Sequence, residues 1–345
     1  MLKVTKMVEN FDFEAFAPKI AVVGVGGQGC NLINRLTINN IKSAHTVALN
    51  TDLGHMNMIK ANKKILIGRE VTNGLGAGGF PEVASKCAEV SKSEIEEAIA
   101  GYDLIFIAAG MGGGTGTGAA PVVAKIAREQ GSTVIATVTY PFALERSRKI
   151  KAEWGIDQLS KQADCVIVVE NDKLLSYVPN LPIERAFELV DNVTGNAVKG
   201  IADTISLPSL INLDFADLRN VVRDTGTAVI SIGSGTGSDR VERVIKSTLM
   251  HPLLTADLDG AKGALIQVVG GSNLTISEAT KIGAGLTEGL ASDANVIFGA
   301  RMVPELGDEI RVMSVVTGVK ARFGERKRDE ASTPRLRMEA LETIY

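Results

Sequence analysis

Aromatic residues make up only 4% of this 345-residue chain, with a single tryptophan, Trp154. A surface that stacks nucleobases in series needs more rings than that. Neither sign of charge dominates: 37 Lys and Arg against 40 Asp and Glu leave a net charge of −3, which provides no general attraction to nucleic acid. Cysteine is equally sparse. Cys30, Cys87 and Cys165 lie far apart without metal-ligand spacing and read as reduced thiols of a cytoplasmic protein. His45, His55 and His251 are just as scattered, which argues against a histidine metal site or triad. No apolar run approaches the ~20 residues of a membrane span. The opening stretch, MLKVTKMVENFDFEAF, is too acidic and mixed for a signal peptide. The chemistry is left to glycines, backbone amides and carboxylates.

What the chain has is alternation. Residues are 45% hydrophobic and 22% charged, and the length suits about two domains. Apolar runs at 19–25, 45–51, 103–109, 132–140 and 164–171 read as buried strands separated by helical segments such as QGCNLINRLTI and AAPVVAKIAREQG. That pattern predicts an α/β fold: a parallel, Rossmann-like sheet with helices on both faces and its ligand at the carboxyl ends of the strands. Residues 182–205 carry Phe187, Val190, Val193, Ala197, Ile201 and Ile205 at helical spacing, predicting one long central helix despite Gly195 and Gly200. Strands at 227–235, 263–271 and 293–302, with helices at 238–250 and 275–290, predict a second, smaller α/β domain. From Gly324 the sequence becomes a charged tail.

Three glycine stretches punctuate the first half. The first strand ends in GVGGQGCN, where Gly24, Gly26 and Gly29 have the dinucleotide spacing G-x-G-x-x-G, and Asp52 ends the second strand. Those features suit a nicotinamide or flavin enzyme, or merely a tight strand-to-helix turn. The second stretch, GGGTGTG at 112–118, again joins a strand to a helix, which offers a second nest of amides and the hydroxyls of Thr115 and Thr117. The third, GLGAGG at 74–79, is either a linker or a further wall of the same site. A pyrophosphate needs one such loop; three favour a nucleoside triphosphate. No G-x-x-x-x-G-K-[ST] occurs, so the Walker-A solution is excluded.

GGGTGTG resembles the signature of the tubulin/FtsZ superfamily in its FtsZ form. GVGGQGCNLINRL, ALNTD, GLGAGG, TYPFALE, ENDKLL, FELVDN, NLDFAD, HPLL and GDEIRV follow in the family's order from Lys19 to Gly318. The YPFALERSR stretch and the short tail look more like the archaeal proteins. The resemblance implies the tubulin/FtsZ fold. It divides the chain into an extension (1–18), a GTP-binding domain (19–181), a central helix (182–207), a C-terminal domain opening with a catalytic loop (208–322) and a tail (323–345).

By that resemblance Gly26, Gly27, Gln28, Gly29 and Cys30 form the first phosphate loop, with Asn31 beside it. Cys30 would make the site sensitive to thiol reagents. Gly113, Gly114, Thr115, Gly116, Thr117 and Gly118 hold the phosphates from the other side, and Gly76, Ala77 and Gly78 close over them. Glu145 matches the acid that binds the ribose hydroxyls. The family's arginine four residues later is here Lys149; Arg148 is favoured for that role because a planar guanidinium stacks on a base as lysine does not. Asp191 matches the carboxylate that accepts from guanine N1–H and N2–H2, with Phe187 stacking on the ring and Asn171 adding a polar contact.

Asn212, Asp214 and Asp217 match the catalytic loop. On residue type alone Asp214 and Asp217 are good helix N-caps; the resemblance gives them the task of polarising the attacking water. A helix over 183–205 spans ~35 Å, so this loop would serve the nucleotide of a second copy stacked head to tail, a contact that does not close and makes a filament. The implied protein is an assembly-dependent GTPase of the division ring, cycling between GTP and GDP. Mg2+ would be held mainly by phosphates and water, with K+ as a second candidate cation. The tail would recruit a membrane anchor or division protein, without insertion into the membrane.

Overall fold

The computed structural model describes residues 18–173, 182–206, 211, 214–223, 225–251, 258 and 260–319. Strands β1 (Ile20–Val25), β2 (His45–Asn50), β3 (Lys63–Leu66), β4 (Leu104–Gly110), β5 (Thr133–Tyr140) and β6 (Cys165–Glu170) are parallel, in the order β3-β2-β1-β4-β5-β6. Both faces are covered, which is why β1, β4, β5 and β6 read as continuous Val, Ile and Ala runs rather than alternating ones. On one face α1 (Gly26–Ile38) contributes Ile33 and Leu36 against Phe106 of β4. On the other, α6 (Thr115–Glu129) and α7 (Arg146–Ser160) set Val123 and Ala152 beside Ile107.

The order reverses between β1 and β4. Their following helices, α1 and α6, leave toward opposite faces and open a crevice at the strand ends. The segment between β2 and β4, only partly read from the sequence, holds α2 (Leu53–Met58), α3 (Arg69–Thr72), α4 (Pro81–Val90) and α5 (Lys92–Ala98) as well as β3. These pieces are too short for a clear period.

The long helix α8 (Ile183–Ser206) packs Val190, Ala197, Val198, Ile201 and Ala202 into the α1-side core. Its two interior glycines, each costing ~1 kcal/mol of helix propensity, mark close approaches. A Cβ on Gly195 would lie 3.3 Å from Leu32 of α1, and one on Gly200 would lie 2.7 Å from Met313 Sδ. Helix α9 (Phe215–Val222) then leads into β7 (Gly226–Gly235).

The sheet does not stop at β6. β7 pairs with it in parallel from Gly226 to Ala228, and β10 (Ile310–Thr317) runs antiparallel to both β7 and β8 (Gly263–Gly270). β9 (Asn295–Met302) closes the edge parallel to β8. The parallel pattern expected of the first half therefore passes into a mixed sheet, ten strands in all among the described residues. Helices α10 (Arg240–Leu249) and α11 (Ile276–Thr287) cover one face of this half around Val244, Ile266, Ile282 and Val312.

Arg240 ties that half together. Buried at 7% exposure, it holds both oxygens of Glu278, at 2.8 and 3.0 Å, and Asp308 Oδ1 at 2.9 Å. Removing one partner of a buried ion pair costs ~3–5 kcal/mol. Because Asp308 is exposed, Arg240→Ala is expected near the low end, about 3 kcal/mol, in urea unfolding followed by circular dichroism. Asp308→Asn should cost below about 1 kcal/mol. The guanidinium holds the Glu278 carboxyl down at about 2, from the ordinary 4.5. This stabilisation is thus complete above pH 4.5 and is lost as pH falls toward 2.

Candidate active site

Both glycine stretches sit at the β1/β4 crevice: the first runs directly into the first turn of a helix, and the second has Gly112–Gly114 ahead of its helix and Thr115–Gly118 within it. α1 begins at Gly26 and α6 at Thr115, so the amides of Gly26, Gly27 and Gln28 and of Thr115, Gly116 and Thr117 have no partner within their helices. Gly118 lies one residue too far: its N–H donates to Gly114 O at 3.0 Å. The two turns touch. Gly26, at φ +76°, would carry a Cβ 2.7 Å from Gly116 N, so only glycine allows two positive helix ends to meet there.

Several glycines are explained by this packing alone. A Cβ on Gly29 would strike Ala108 O, and one on Gly118 would strike Pro81 O. Gly27 and Gly113 are different: nothing lies within 4 Å of where their Cβ atoms would be. Open space at these two positions, next to the unpaired amides of the helix ends, leaves room for an anion. The third stretch joins it. Ala77 Cβ and Phe80 N would each lie 3.0 Å from a Cβ on Gly114, and Gly76 N–H donates to Thr51 O at 3.1 Å. Exposed Gly78 follows on the same wall.

The hydroxyls divide. Thr115 Oγ1 lies 2.8 Å from Thr51 Oγ1 at the crevice. Thr117 is fully buried and its hydroxyl accepts Gly112 N–H at 2.9 Å. It shapes the loop, its hydroxyl being committed to Gly112 rather than to the crevice. The Gln28 side chain crosses to β5, where Oε1 accepts from Thr139 Oγ1 at 2.8 Å and Nε2 is buried without a partner.

The expectation that Cys30 sensitises the site is corrected. Its thiol is completely buried between Gly24 O and Leu49 O, and burial pushes its pKa up to about 12. A thiol so held is neither nucleophilic nor accessible. Asp52 is also absorbed structurally: it caps α2 through His55 N–H at 3.0 Å, so the ribose role that a dinucleotide enzyme would give it has no support.

Glu145, at the start of α7, accepts Phe142 N–H at 3.1 Å and pairs with Arg148 at 2.6 Å. Arg148's backbone abuts Gly112, which places the pair beside the second loop. Lys149 lies over Tyr140, with Nζ 5.6 Å from the centroid of the ring. Asn171 follows β6 at 3% exposure, with Oδ1 buried and unpartnered. A buried amide oxygen without a donor fits a ligand N–H better than a packing role.

Asp191 lies in the first half of α8. Burial raises its carboxyl to about 6, and Arg35 of α1, 3.3 Å away, restrains the rise. Phe187 falls within α8, but its side chain lies outside the described residues, as does the whole of Asn212. Asp214 and Asp217 form a reciprocal capping box at the start of α9: Asp217 N–H to Asp214 Oδ1 at 2.8 Å and Asp214 N–H to Asp217 Oδ2 at 3.3 Å. The cap uses one oxygen of each carboxylate.

Residues 19–179 match the GTPase domain of the Tubulin/FtsZ family, and residues 226–320 match the C-terminal domain of the FtsZ family. Cell division protein FtsZ 2 of Methanocaldococcus jannaschii is 53% identical over 306 residues, 88% of this chain and 80% of its own. The chain belongs to the FtsZ family. FtsZ 2 of Haloferax volcanii is 46% identical over 314 residues, 91% of this chain and 78% of its own. The solved M. jannaschii FtsZ dimer, empty, superposes with a TM-score of 0.86 at 40% identity, covering 96% of this chain and 100% of that one. All three relatives are archaeal, so this is an FtsZ of archaeal type with the tubulin/FtsZ fold.

Four residues beside the FtsZ site escaped the sequence reading: Arg35, Thr51, His55 and Lys151, whose Nζ donates to Gly79 O at 2.7 Å. Only Arg35 left a trace, at helical spacing from Gly27 and Asn31.

Proposed function

We propose that this chain binds and hydrolyses GTP and assembles head to tail, each active site being completed by the Asn212–Asp217 loop of the next subunit. What supports the reading is the length of α8, a 24-residue helix that spans ~36 Å: Asp191 lies in its first half and the Asp214–Asp217 pair follows its far end in the chain. In this assignment the first turns of α1 and α6 take the phosphates and Gly76–Gly78 cover them. Glu145 and Arg148 meet the ribose and base, while Asn171, Phe187 and Asp191 read guanine. Leu75 and Leu144, 85% and 81% exposed, adjoin Gly76 and Glu145 in the chain and offer apolar surface to a neighbouring copy.

Asn212, Asp214 and Asp217 arriving from that copy would orient and polarise water for attack on the γ-phosphate. The capping box pre-orients its two carboxylates, and the unbonded oxygen of each is the one available to water. Around the cradle the donors are amides and hydroxyls; among the described residues no three His, Cys, Asp or Glu side chains converge on a metal position. Mg2+ would arrive on the phosphates, its charge neutralising theirs, and K+ is the second cation to test. The relatives' name, cell division protein, brings the cellular role: a ring at the division site, recruited through residues 323–345, which lie outside the described residues.

Light scattering and phosphate release, measured together over a range of protein concentrations, test the proposal. GTP should drive both above a threshold concentration and ATP neither. Phosphate release strictly proportional to protein, with no threshold, would refute assembly-dependent hydrolysis.

A further inference from the structure

A short line of side chains runs from β2 to the cradle, and elimination determines its hydrogen-bond roles. Asn50, 3% exposed, accepts Thr51 N–H through Oδ1 at 2.9 Å, so its Nδ2 is the end left to donate. That nitrogen lies 3.2 Å from His55 Nδ1, which must therefore accept. A neutral imidazole accepting at Nδ1 carries its proton on Nε2. His55 Nε2 lies 3.0 Å from Asn31 Oδ1. With its oxygen occupied, Asn31 presents its NH2 end.

The place of Asn31 gives that orientation a use. Gly27, Asn31 and Arg35 are four residues apart on one face of α1, each step rising ~6 Å. Gly27 faces the open phosphate end of the crevice, and Arg35 pairs with Asp191 at the base end. Asn31 lies between them, level with the sugar and inner phosphate of a nucleotide bridging the two. Those groups present mainly acceptor oxygens, which an amide NH2 attracts and an amide oxygen repels.

We infer that His55 is a positioning residue of the nucleotide site: its Nε2–H fixes the Asn31 amide with NH2, not C=O, toward the sugar–phosphate oxygens. The inference rests on reading the crevice as the GTP site. His55 is itself held by the cap of its own helix, its backbone N–H donating to Asp52 Oδ1. Asp52, the residue a dinucleotide reading would have put on the ribose, instead caps the helix that carries His55.

The test measures GDP affinity by calorimetry, and KM and kcat for GTP, on the full chain and on Asn31→Ala, His55→Ala, the double variant and His55→Gln. Loss of one hydrogen bond's worth of pre-organisation should weaken GDP binding by His55→Ala about five- to tenfold, with the effect on KM rather than kcat. The double variant should be no worse than Asn31→Ala alone, and His55→Gln, which restores an N–H donor, should recover most of the loss. The chain has three histidines, so the imidazole nitrogens of His55 can be assigned by NMR, and the Nε2–H form is expected. GDP binding by His55→Ala equal to the parent's, additive losses in the double variant, or an Nδ1–H ring would each overturn the inference. So would an Asn31→Ala variant that binds GDP normally. A parent chain that binds no guanine nucleotide would instead overturn the GTP reading itself, so the two failures are distinguishable.

Discussion

Mixing two inactive variants, Asp214→Asn and Gly27→Asp, is expected to restore GTP hydrolysis that neither shows alone. Asparagine caps a helix about as well as aspartate, so Asp214→Asn should keep the capping box and the start of α9 while removing the charge that polarises water. Its expected loss in kcat is 10²–10⁴-fold, the usual contribution of a positioned base, with GTP binding intact. Gly27→Asp works from the other side. Open space surrounds that position, so the new side chain disturbs no packing, but it places a carboxylate where phosphate must sit. In a random co-polymer about one junction in four would place an intact cradle against intact carboxylates, because a head-to-tail contact draws one half from each subunit. Hydrolysis up to about a quarter of the parent's is therefore expected. Activity no higher than the separate variants, in filaments shown by sedimentation to contain both, would count decisively against completion in trans.

Asp191 should determine both which base is bound and how binding responds to pH. Guanine offers its carboxylate N1–H and N2–H2, hypoxanthine only N1–H, and adenine neither in that arrangement. Each hydrogen bond to a charged group contributes ~1.5–3 kcal/mol, so affinities should fall from GTP to ITP to ATP by at least tenfold per step. Asp191→Asn, which replaces an acceptor by a donor, should flatten the series. Without nucleotide, burial holds the carboxyl at about 6 against an ordinary 3.8. A raised folded pKa stabilises the protein below 3.8, and that stability is lost as pH rises through about 6. Guanine needs the ionised form, so GDP affinity should run the other way, falling by up to tenfold per pH unit below about 6. Thermal unfolding with and without GDP at pH 5, 6 and 7 separates the two trends. A GDP-induced rise in Tm that is the same at all three would remove Asp191 from the base site.

Much of this was legible along the chain because the signals are local. Strands buried on both faces announce themselves as unbroken Val and Ile runs, and α8 by its helical spacing. The glycine loops are visible because bare backbone between a strand and a helix has few other uses. The family resemblance added the roles proposed for Asp191 and Asp214, which composition could not distinguish from a solvated carboxylate and a helix cap. For Asp214 the structure shows the cap, and the proposed catalytic task is compatible with it, since the cap would orient the carboxylate.

Other properties depended on contacts between segments distant in sequence, which no local pattern records. The position of Cys30 between Gly24 O and Leu49 O turned an expected reactive thiol into an inert one. The burial of Thr117 turned its hydroxyl to Gly112 and withdrew it from the crevice. Arg35 meets Asp191 across 156 residues, and His55 meets Asn31 across 24. Sequence determined which residue types stand at each strand end, because hydrophobic period and backbone freedom are properties of neighbours in the chain. Tertiary structure alone decided which of their atoms remain free for a ligand, because a hydrogen bond already made inside the protein removes a donor or acceptor from use, and only packing determines which bonds are made.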